Sequence, residues 1–257
     1  MRILLLTATV TPPPGATSLV RVDPAQRMAD YVAALRVYLG ALEAASLDAI
    51  VFAENSGSDL APLHALVANS PLREQVEFLE VPHAAEPPAL GRGYSEVRLI
   101  ELAMRVSSTI VAAPADAMIW KVTGRYIIRN LRSLMEEGDG FDLCCHCRDW
   151  PMRWSDMYFM GWRKGSFPTV MAGAADRVRG GADRLPAEFG LMPPPEVGFR
   201  QHVDEAARRF RVRRRFSKPA DLAGVSALDN RRYEQGKGKG KARIRALLAR
   251  ITPWLWV

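Results

Sequence analysis

Two cations and a hydroxyl group lie close together in residues 121–126 (KVTGRY). This run follows an apolar stretch typical of a strand and precedes a helical pattern, and Gly124 allows a tight turn or a close backbone approach. At a helix N-terminus, Lys121, Thr123 and Arg125 would form an anion site together with backbone amides and the helix dipole. Cations are unfavourable at the positive end of a helix dipole, and a bound phosphate would remove that conflict. The alternative is a capped helix start with solvated basic residues.

Two further loops carry polar groups that suit a nucleotide. Residues 54–57 (ENSG) follow the second predicted strand, and Asn55 there could bind a base or a ribose, although many strand-to-helix turns have this composition. Arg92 lies between two glycines in a loop that opens a helix, where it suits a phosphate contact. Ser95 is a suitable N-cap for that helix, with Glu96 in its first turn. Capping explains Ser95 and Glu96 but leaves Arg92 unexplained.

Carboxylates that could activate a hydroxyl group occur near predicted strand ends. Glu96, Asp149 and Asp156 are the candidates, and Trp150 and Trp154 flank the two aspartates. Tryptophan faces stack on sugar rings, and a carboxylate can accept the proton of a hydroxyl group. Asp156 is the predicted activating residue. The alternative is a loop at the rim whose charges are satisfied by salt bridges.

Three cysteines and a histidine occupy residues 144–147 (CCHC). A tetrahedral zinc site needs four ligands, usually in two separated pairs, and the sequence has no second pair. Cysteines this close together, odd in number and without distant partners, exclude a disulfide framework and favour a reducing compartment. We predict a buried strand here and no metal site.

The elements that position these residues alternate between strands and helices. The predicted strands are 3–10, 49–53, 76–81, 117–122, 141–147 and 157–162, and the predicted helices are 23–45, 60–69, 95–108 and 126–135. This alternation predicts an α/β fold with a mainly parallel sheet flanked by helices. Ligands of such sheets bind beyond the carboxyl ends of the strands, so the loops after Val10, Ala53 and Val122 are where a site is expected.

Charge divides the chain into two parts. Of its 257 residues 48% are apolar and 25% charged, which is ordinary for a globular chain with one large domain. Residues 1–200 hold 20 basic and 23 acidic side chains, a net −3, whereas residues 201–257 hold 15 and 5, a net +10. We therefore predict a core domain over 1–200 and a basic C-terminal extension over 201–257.

The extension ends in a pattern typical of an interfacial anchor. A flexible basic segment at 236–241 (GKGKGK) precedes a predicted helix that has an apolar stripe on one face, carries Arg243 and Arg245 elsewhere, and is followed by Trp254 and Trp256. Basic amphipathic helices with terminal tryptophan bind anionic membrane surfaces. Nucleic-acid binding through phosphate contacts is less expected because the sequence shows no zinc finger, no RNP-type aromatic pair and no helix-turn-helix pattern. Packing of the stripe on the core or on another subunit is a third possibility.

Localisation follows from the apolar segments. No stretch reaches the roughly 18–20 apolar residues of a transmembrane helix. The N-terminal apolar run is too short for a secretory signal and is typical of a strand. We expect a cytoplasmic protein that contacts the inner face of the membrane through its extension.

Three segments carry a resemblance to a known family. Residues 52–57 (FAENSG), 91–96 (GRGYSE) and 121–126 (KVTGRY) occur in this order and resemble bacterial glycosyltransferases encoded with capsule and O-antigen genes. The likeness covers residues 1–165, and the KVTGRY segment is its most specific part. It implies a GT-A-like, Rossmann-like catalytic domain, a nucleotide-sugar donor, and a glycan or lipid-linked acceptor in surface polysaccharide synthesis. The residues themselves indicate an anion-binding α/β domain.

The loop residues, interpreted with this resemblance, give a predicted set of site residues. The predicted donor site comprises Thr7, Glu54, Asn55, Arg92, Glu96, Lys121, Thr123, Gly124 and Arg125. Asp156 would activate the acceptor, while Lys121 and Arg125 would neutralise the leaving phosphate as catalytic cations.

One departure concerns the metal ion. Typical GT-A enzymes carry an Asp-x-Asp motif that holds Mn²⁺ or Mg²⁺, whereas here Lys121 and Arg125 occupy the equivalent segment. Positioned cations can do the same electrostatic work, so we expect no cofactor and metal-independent transfer, with a divalent metal as the alternative. A nucleotidyltransferase with a similar core and a nucleic-acid-binding protein are the other functional classes left open.

Overall fold

The computed structural model describes residues 1–14, 19–81, 90–150, 152–180, 194–226 and 230–233, which form nine strands, eight α-helices and two short 3-10 helices. The strands are β1 Arg2–Ala8, β2 Ala49–Glu54, β3 Val76–Glu80, β4 Met118–Thr123, β5 Ile127–Ile128, β6 Leu143–Arg148, β7 Trp154–Arg163, β8 Val212–Arg213 and β9 Leu222–Ala223. The helices are α1 Pro24–Glu43, α2 Ala61–Val67, α3 Arg92–Val106, α4 Ser108–Ala112, α5 Leu131–Glu137, α6 Phe167–Val170, α7 Ala174–Gly180 and α8 Pro195–Ala206.

A seven-stranded sheet forms the centre, in the order β3-β2-β1-β4-β7-β6-β8. The pairs β3–β2, β2–β1, β1–β4 and β6–β8 are parallel, and β7 runs antiparallel to both of its neighbours. A separate two-stranded sheet joins β5 to β9. The predicted α/β class with a mainly parallel sheet is therefore confirmed.

Each face of the large sheet packs on helices. Residues of α1, α2 and α5 share one core cluster with one set of strand side chains, and residues of α3, α4, α7 and α8 share the other cluster with the opposite set. The strands β1 and β2 are continuous apolar runs because both of their faces are covered. Such strands present polar atoms mainly at their ends, which is where the site residues lie.

Two local predictions are wrong. The helix expected over residues 126–135 begins at Leu131, because Ile127 and Ile128 form β5 and pair with β9. Residues 121–126 therefore do not lead directly into a helix, and no helix dipole acts on them there. Likewise, α3 begins at Arg92 with Gly91 as its N-cap, so Ser95 lies inside the helix, where its hydroxyl group donates to the Gly91 carbonyl over 3.4 Å.

The described residues beyond position 200 pack on the same sheet. The predicted domain boundary at 200 falls inside α8, β8 pairs with β6, and Phe216 contacts Trp120 in the core. The predicted membrane contacts Arg243, Arg245, Trp254 and Trp256 lie outside the described residues. Among the residues that are described, no helix is long and apolar enough to cross a membrane.

Close packing of a glycine on a tryptophan gives a test of the sheet register. Gly161 of β7 pairs with the buried Trp120 of β4, and a Cβ added at Gly161 would lie 2.6 Å from Cζ3 of the indole. We expect Gly161→Ala to lower the free energy of unfolding by about 1–3 kcal/mol, because the buried ring must be displaced. Urea denaturation measures this loss.

Gly40→Ala is the matched control. Gly40 lies in α1 with open space around its Cα, so the added methyl group should stabilise the helix by up to about 1 kcal/mol. Equal stability of the Gly161→Ala variant and the wild type would contradict the packing described for Trp120.

Candidate active site

The carboxyl ends of the central strands bring predicted site residues together. Thr7 at the end of β1 is in register with Thr123 of β4 and with Ala53 of β2, which precedes Glu54. This is the edge at which ligands of parallel sheets bind. Of the predicted donor-site residues, Thr7, Glu96, Lys121 and Thr123 form one hydrogen-bonded group, which we call the edge cluster.

A buried ion pair forms the centre of the edge cluster. The Lys121 side chain is 0% exposed, and its Nζ lies 2.5 Å from Glu96 Oε1. The ammonium group also donates to Thr123 Oγ1 at 3.1 Å and to the Met157 carbonyl at 2.7 Å. Glu96 Oε1 accepts from Thr7 Oγ1 and Thr123 Oγ1, each at 2.9 Å. The cluster therefore links β1, β4 and β7 to α3, and the Lys121 donors are used within the protein.

Opposing effects set the pKa values of this pair. Burial raises the pKa of Glu96, but the Lys121 ammonium and the hydrogen bonds to Glu96 outweigh burial and hold that pKa below its usual range. Burial lowers the pKa of Lys121, and the Glu96 and Glu196 carboxylates offset this only in part. The ion pair thus keeps a charged lysine in a place that would otherwise favour its neutral form.

Glu54 organises the neighbouring loops. Its Oε1 accepts from the Val10 amide at 2.9 Å, and its Oε2 accepts from the amides of Ser56 at 2.8 Å and Gly57 at 3.0 Å. Asn55 accepts from the Thr9 hydroxyl group at 2.7 Å. The carboxylate is buried and ties the loop after β1 to the loop after β2, so it shapes the surface that Asn55 presents.

Arg125 is packed against the segment that follows β9. Its side chain donates to the Val225 carbonyl and, at 2.7 Å, to the Tyr126 hydroxyl group, and the residue is 7% exposed. Gly124 allows close contact with β1, because its amide donates to the Thr7 carbonyl at 2.8 Å and a Cβ would lie 3.0 Å from that oxygen. The predicted phosphate contacts of Lys121 and Arg125 stay predictions, and both cations already have internal partners.

Asp156 lies on β7 and is held by two donors. Its Oδ1 accepts from Arg148 Nη2 and from Trp154 Nε1, both at 2.8 Å, and the residue is 9% exposed. Burial raises the pKa of the neighbouring Tyr158, which also shares a hydrogen bond with Asp156. Asp149 is bound by Arg200 Nη1 at 2.8 Å. Asp156 is therefore positioned near the edge, and its role as the activating residue stays a prediction.

Sequence reasoning missed Glu196, in the first turn of α8. Its Oε2 is buried and has no hydrogen-bond partner within the part of the chain that the structure describes. Arg92, Glu96 and Asp156 act on it electrostatically. A proline at the first helical position followed by an acid could have drawn notice to it, but this pattern is also that of an ordinary helix start.

The cysteine cluster confirms the predicted buried strand. Cys144, Cys145 and Cys147 are free and buried in β6, with 3.9 Å between the Sγ atoms of Cys145 and Cys147. In the described ranges, no group of three His, Cys, Asp or Glu side chains is placed to hold a metal ion.

A cavity at the opposite edge of the sheet has a different character. It has a volume of about 480 Å³ and is lined by residues that include Arg2, Asp48, Asp139 and Arg163, at the amino ends of β1 and β2 and the carboxyl end of β7. Arg2 already pairs with Asp139 at 2.8 Å and with Asp48 through its backbone amide at 2.6 Å. Two of the acidic residues that line this cavity, Asp48 and Asp139, are therefore already bound by Arg2. The cavity lies away from the edge cluster.

Comparison with known proteins gives structural similarity alone. No protein-family model and no curated protein sequence matches the chain. A structure assigned as a nucleotide-diphospho-sugar transferase from Desulfovibrio desulfuricans G20 is 14% identical, with 97% of each chain covered and a TM-score of 0.47. One assigned as a glucose-1-phosphate thymidylyltransferase from Bacillus anthracis is 10% identical, covering 95% of this chain and 94% of the other, with a TM-score of 0.42. A galactosyltransferase solved with donor and acceptor sugar analogues is 13% identical, covering 65% and 59%, with a TM-score of 0.40.

Removing one member of the buried ion pair tests its contribution to stability. Replacing Glu96 by Gln leaves the Lys121 ammonium without its counterion, so we expect a loss of about 3–5 kcal/mol at pH 7. The pKa of Glu96 is lowered in the folded state, so the ionised group stabilises the fold fully above the pKa that Glu96 has in the unfolded chain. This stabilisation disappears as the pH falls through the pKa that Glu96 has in the folded state. The difference between the two proteins should therefore shrink below about pH 4.

Glu101→Gln is the control for this experiment. Glu101 lies on the same helix and pairs with Arg98 at the surface, so its removal should cost at most about 1 kcal/mol at either pH. Chemical denaturation at pH 7 and pH 3.5 measures both variants. A loss for Glu96→Gln that matches the control would show that the buried pair contributes nothing.

Proposed function

We propose that this protein transfers a sugar from a nucleotide-sugar donor to an acceptor hydroxyl group at the carboxyl edge of β1, β2 and β4. The observation that carries the proposal is the edge cluster. Charged groups are costly to bury, and here they lie at the edge where a parallel sheet binds its ligands. Charged groups with shifted pKa values at such a position are typical of a functional site.

The donor diphosphate would lie against the start of α3. Arg92 is exposed and is the first residue of that helix, and the N-cap before it is Gly91, which has no side chain to cap the first turn. A helix N-terminus with an arginine beside it favours a phosphate group. Since Lys121 and Arg125 have internal partners, Arg92 makes the direct contact in this proposal, and the two other cations add positive charge at the end of β4.

The remaining predicted residues fit around this arrangement. Thr7 and Thr123 border the edge, and Gly124 lets the turn after β4 approach β1 closely. Asn55 is presented for the nucleoside by the loop that Glu54 shapes. The chemistry of each group supports its place in the proposal.

Finer features of the function rest on the sequence. The resemblance of residues 52–57, 91–96 and 121–126 supports a glycan or lipid-linked acceptor in surface polysaccharide synthesis. The basic amphipathic pattern with Arg243, Arg245, Trp254 and Trp256 supports a contact with anionic membrane on the cytoplasmic side. The cations at the edge support metal-independent transfer.

Nucleotide binding tests the proposal directly. Thermal unfolding is measured with UDP, GDP, CDP, CMP and ADP, each with Mn²⁺ and with chelator. A nucleotide at 100 times its dissociation constant should stabilise the protein by about 2.7 kcal/mol, which a shifted midpoint reveals. Stabilisation by one nucleotide in the presence of chelator is the expected result. Stabilisation only with Mn²⁺ would contradict metal independence, and none with any nucleotide would contradict the proposal.

Arg92→Ala locates the nucleotide. Losing a charge-assisted contact with the diphosphate should weaken binding about tenfold or more. Arg105→Ala is the matched control, because Arg105 is exposed at the other end of the same helix and should leave binding unchanged. Unchanged affinity of the Arg92 variant would show that the diphosphate lies elsewhere.

A further inference from the structure

Two glycines hold the start of α8 tightly against neighbouring helices. A Cβ added at Gly93 of α3 would overlap the Pro195 ring, and one added at Gly198 would overlap the Arg177 carbonyl of α7. Glu196 lies between these two contact points on α8. Its backbone position beside α3, and thus beside the edge cluster, is therefore fixed by close packing.

Charged groups surround Glu196 on several sides. Those that act on it from neighbouring elements are Arg92 and Glu96 of α3, Lys121 of β4 and Asp156 of β7. Burial raises the pKa of Glu196, and the Asp156 and Glu96 carboxylates add to this increase, while its own backbone amide and Arg92 oppose it. A carboxyl group with a raised pKa is a stronger base once it is ionised.

The hydrogen bonding of Glu196 differs from that of the other carboxylates at this edge. Glu54, Glu96 and Asp156 each accept two or more hydrogen bonds from the protein. The Glu196 carboxyl group accepts a hydrogen bond from its own backbone amide, but its buried Oε2 atom accepts none in the described chain. Burying an unsatisfied carboxylate oxygen is costly, so a role that provides a donor would account for it.

We infer that Glu196 is the general base of the proposed sugar transfer, and that it accepts the proton of the acceptor hydroxyl group. This inference rests on the proposed function and deepens it. Asp156 then has a positioning role, because Arg148 and Trp154 already occupy its Oδ1. The acceptor hydroxyl group would supply the hydrogen bond that Glu196 Oε2 lacks.

The reaction balances without a further reactant. The acceptor oxygen forms a bond to the anomeric carbon as its proton passes to the Glu196 carboxylate. The bond between the anomeric carbon and the phosphate oxygen breaks, and its electron pair leaves on the nucleoside diphosphate. A base that activates the acceptor directly gives a single displacement, so the product has the inverted anomeric configuration.

Glu196→Gln tests the assignment through turnover. The probe is the UDP-, GDP-, CDP- or ADP-sugar whose nucleotide stabilises the wild type, with water as the acceptor. We expect release of the nucleotide to slow by at least about 100-fold while the thermal shift by the nucleotide stays unchanged. The first sugar anomer that proton NMR detects in the wild-type reaction should be inverted. Wild-type turnover in the variant, or retention of configuration, would overturn the inference.

Stability against pH gives a readout that does not depend on turnover. The pKa of Glu196 is raised in the folded state, so its ionisation costs stability as the pH rises from the unfolded value through the folded one. Glu196→Gln should therefore melt at a higher temperature than the wild type at pH 8 and at the same temperature at pH 4. A lower melting temperature at pH 8 would show a purely structural residue and overturn the inference.

Glu205→Gln is the matched control. Glu205 lies near the other end of α8 and pairs with Arg177 at 2.6 Å. This variant should keep wild-type turnover and should gain no stability at pH 8. Failure of the wild type to bind any nucleotide would contradict the proposed sugar transfer. Intact nucleotide binding together with an active Glu196→Gln variant would contradict only the role of Glu196 as the general base.

Discussion

The buried ion pair between Lys121 and Glu96 is the interaction on which the carboxyl edge depends. Lys121 has no exposed surface, so its charge is tolerable only because Glu96 and two oxygen acceptors surround it. The same pair connects α3 to the ends of β1, β4 and β7. Any ligand at this edge therefore meets a surface whose shape and charge are set before binding, which is what preorganised catalysis requires.

The residues after α8 complete this region from the other side of the sheet. Val225 accepts a hydrogen bond from Arg125, Tyr233 contacts Tyr126, and β9 pairs with β5. The turn after β4 is thus held between β1 and a segment roughly a hundred residues later in the chain. The shape of this turn comes from long-range contacts rather than from a helix start, so the local sequence pattern alone predicts a helix there.

Polar groups near the edge differ in how fully their hydrogen bonds are satisfied. The side chains of Glu54, Lys121 and Arg125 form hydrogen bonds with other protein groups, so they stabilise the structure of the site. Arg92 is exposed, and the buried Oε2 of Glu196 accepts no hydrogen bond from the residues that the structure describes. In the proposed transfer, Arg92 would bind a phosphate group and the Glu196 carboxylate would accept a proton.

The sequence by itself determined the α/β class, the buried strands and the edge at which Thr7, Thr123 and Glu54 meet, because apolar runs and their ends are local properties. It also singled out Glu96 and Lys121, although it assigned both to a ligand. Only the tertiary structure decided that these two bind each other, since they are 25 positions apart and meet through packing of α3 on the sheet. It also decided that Glu196 belongs to the edge, because close contacts at Gly93 and Gly198, which no local pattern encodes, bring α8 there.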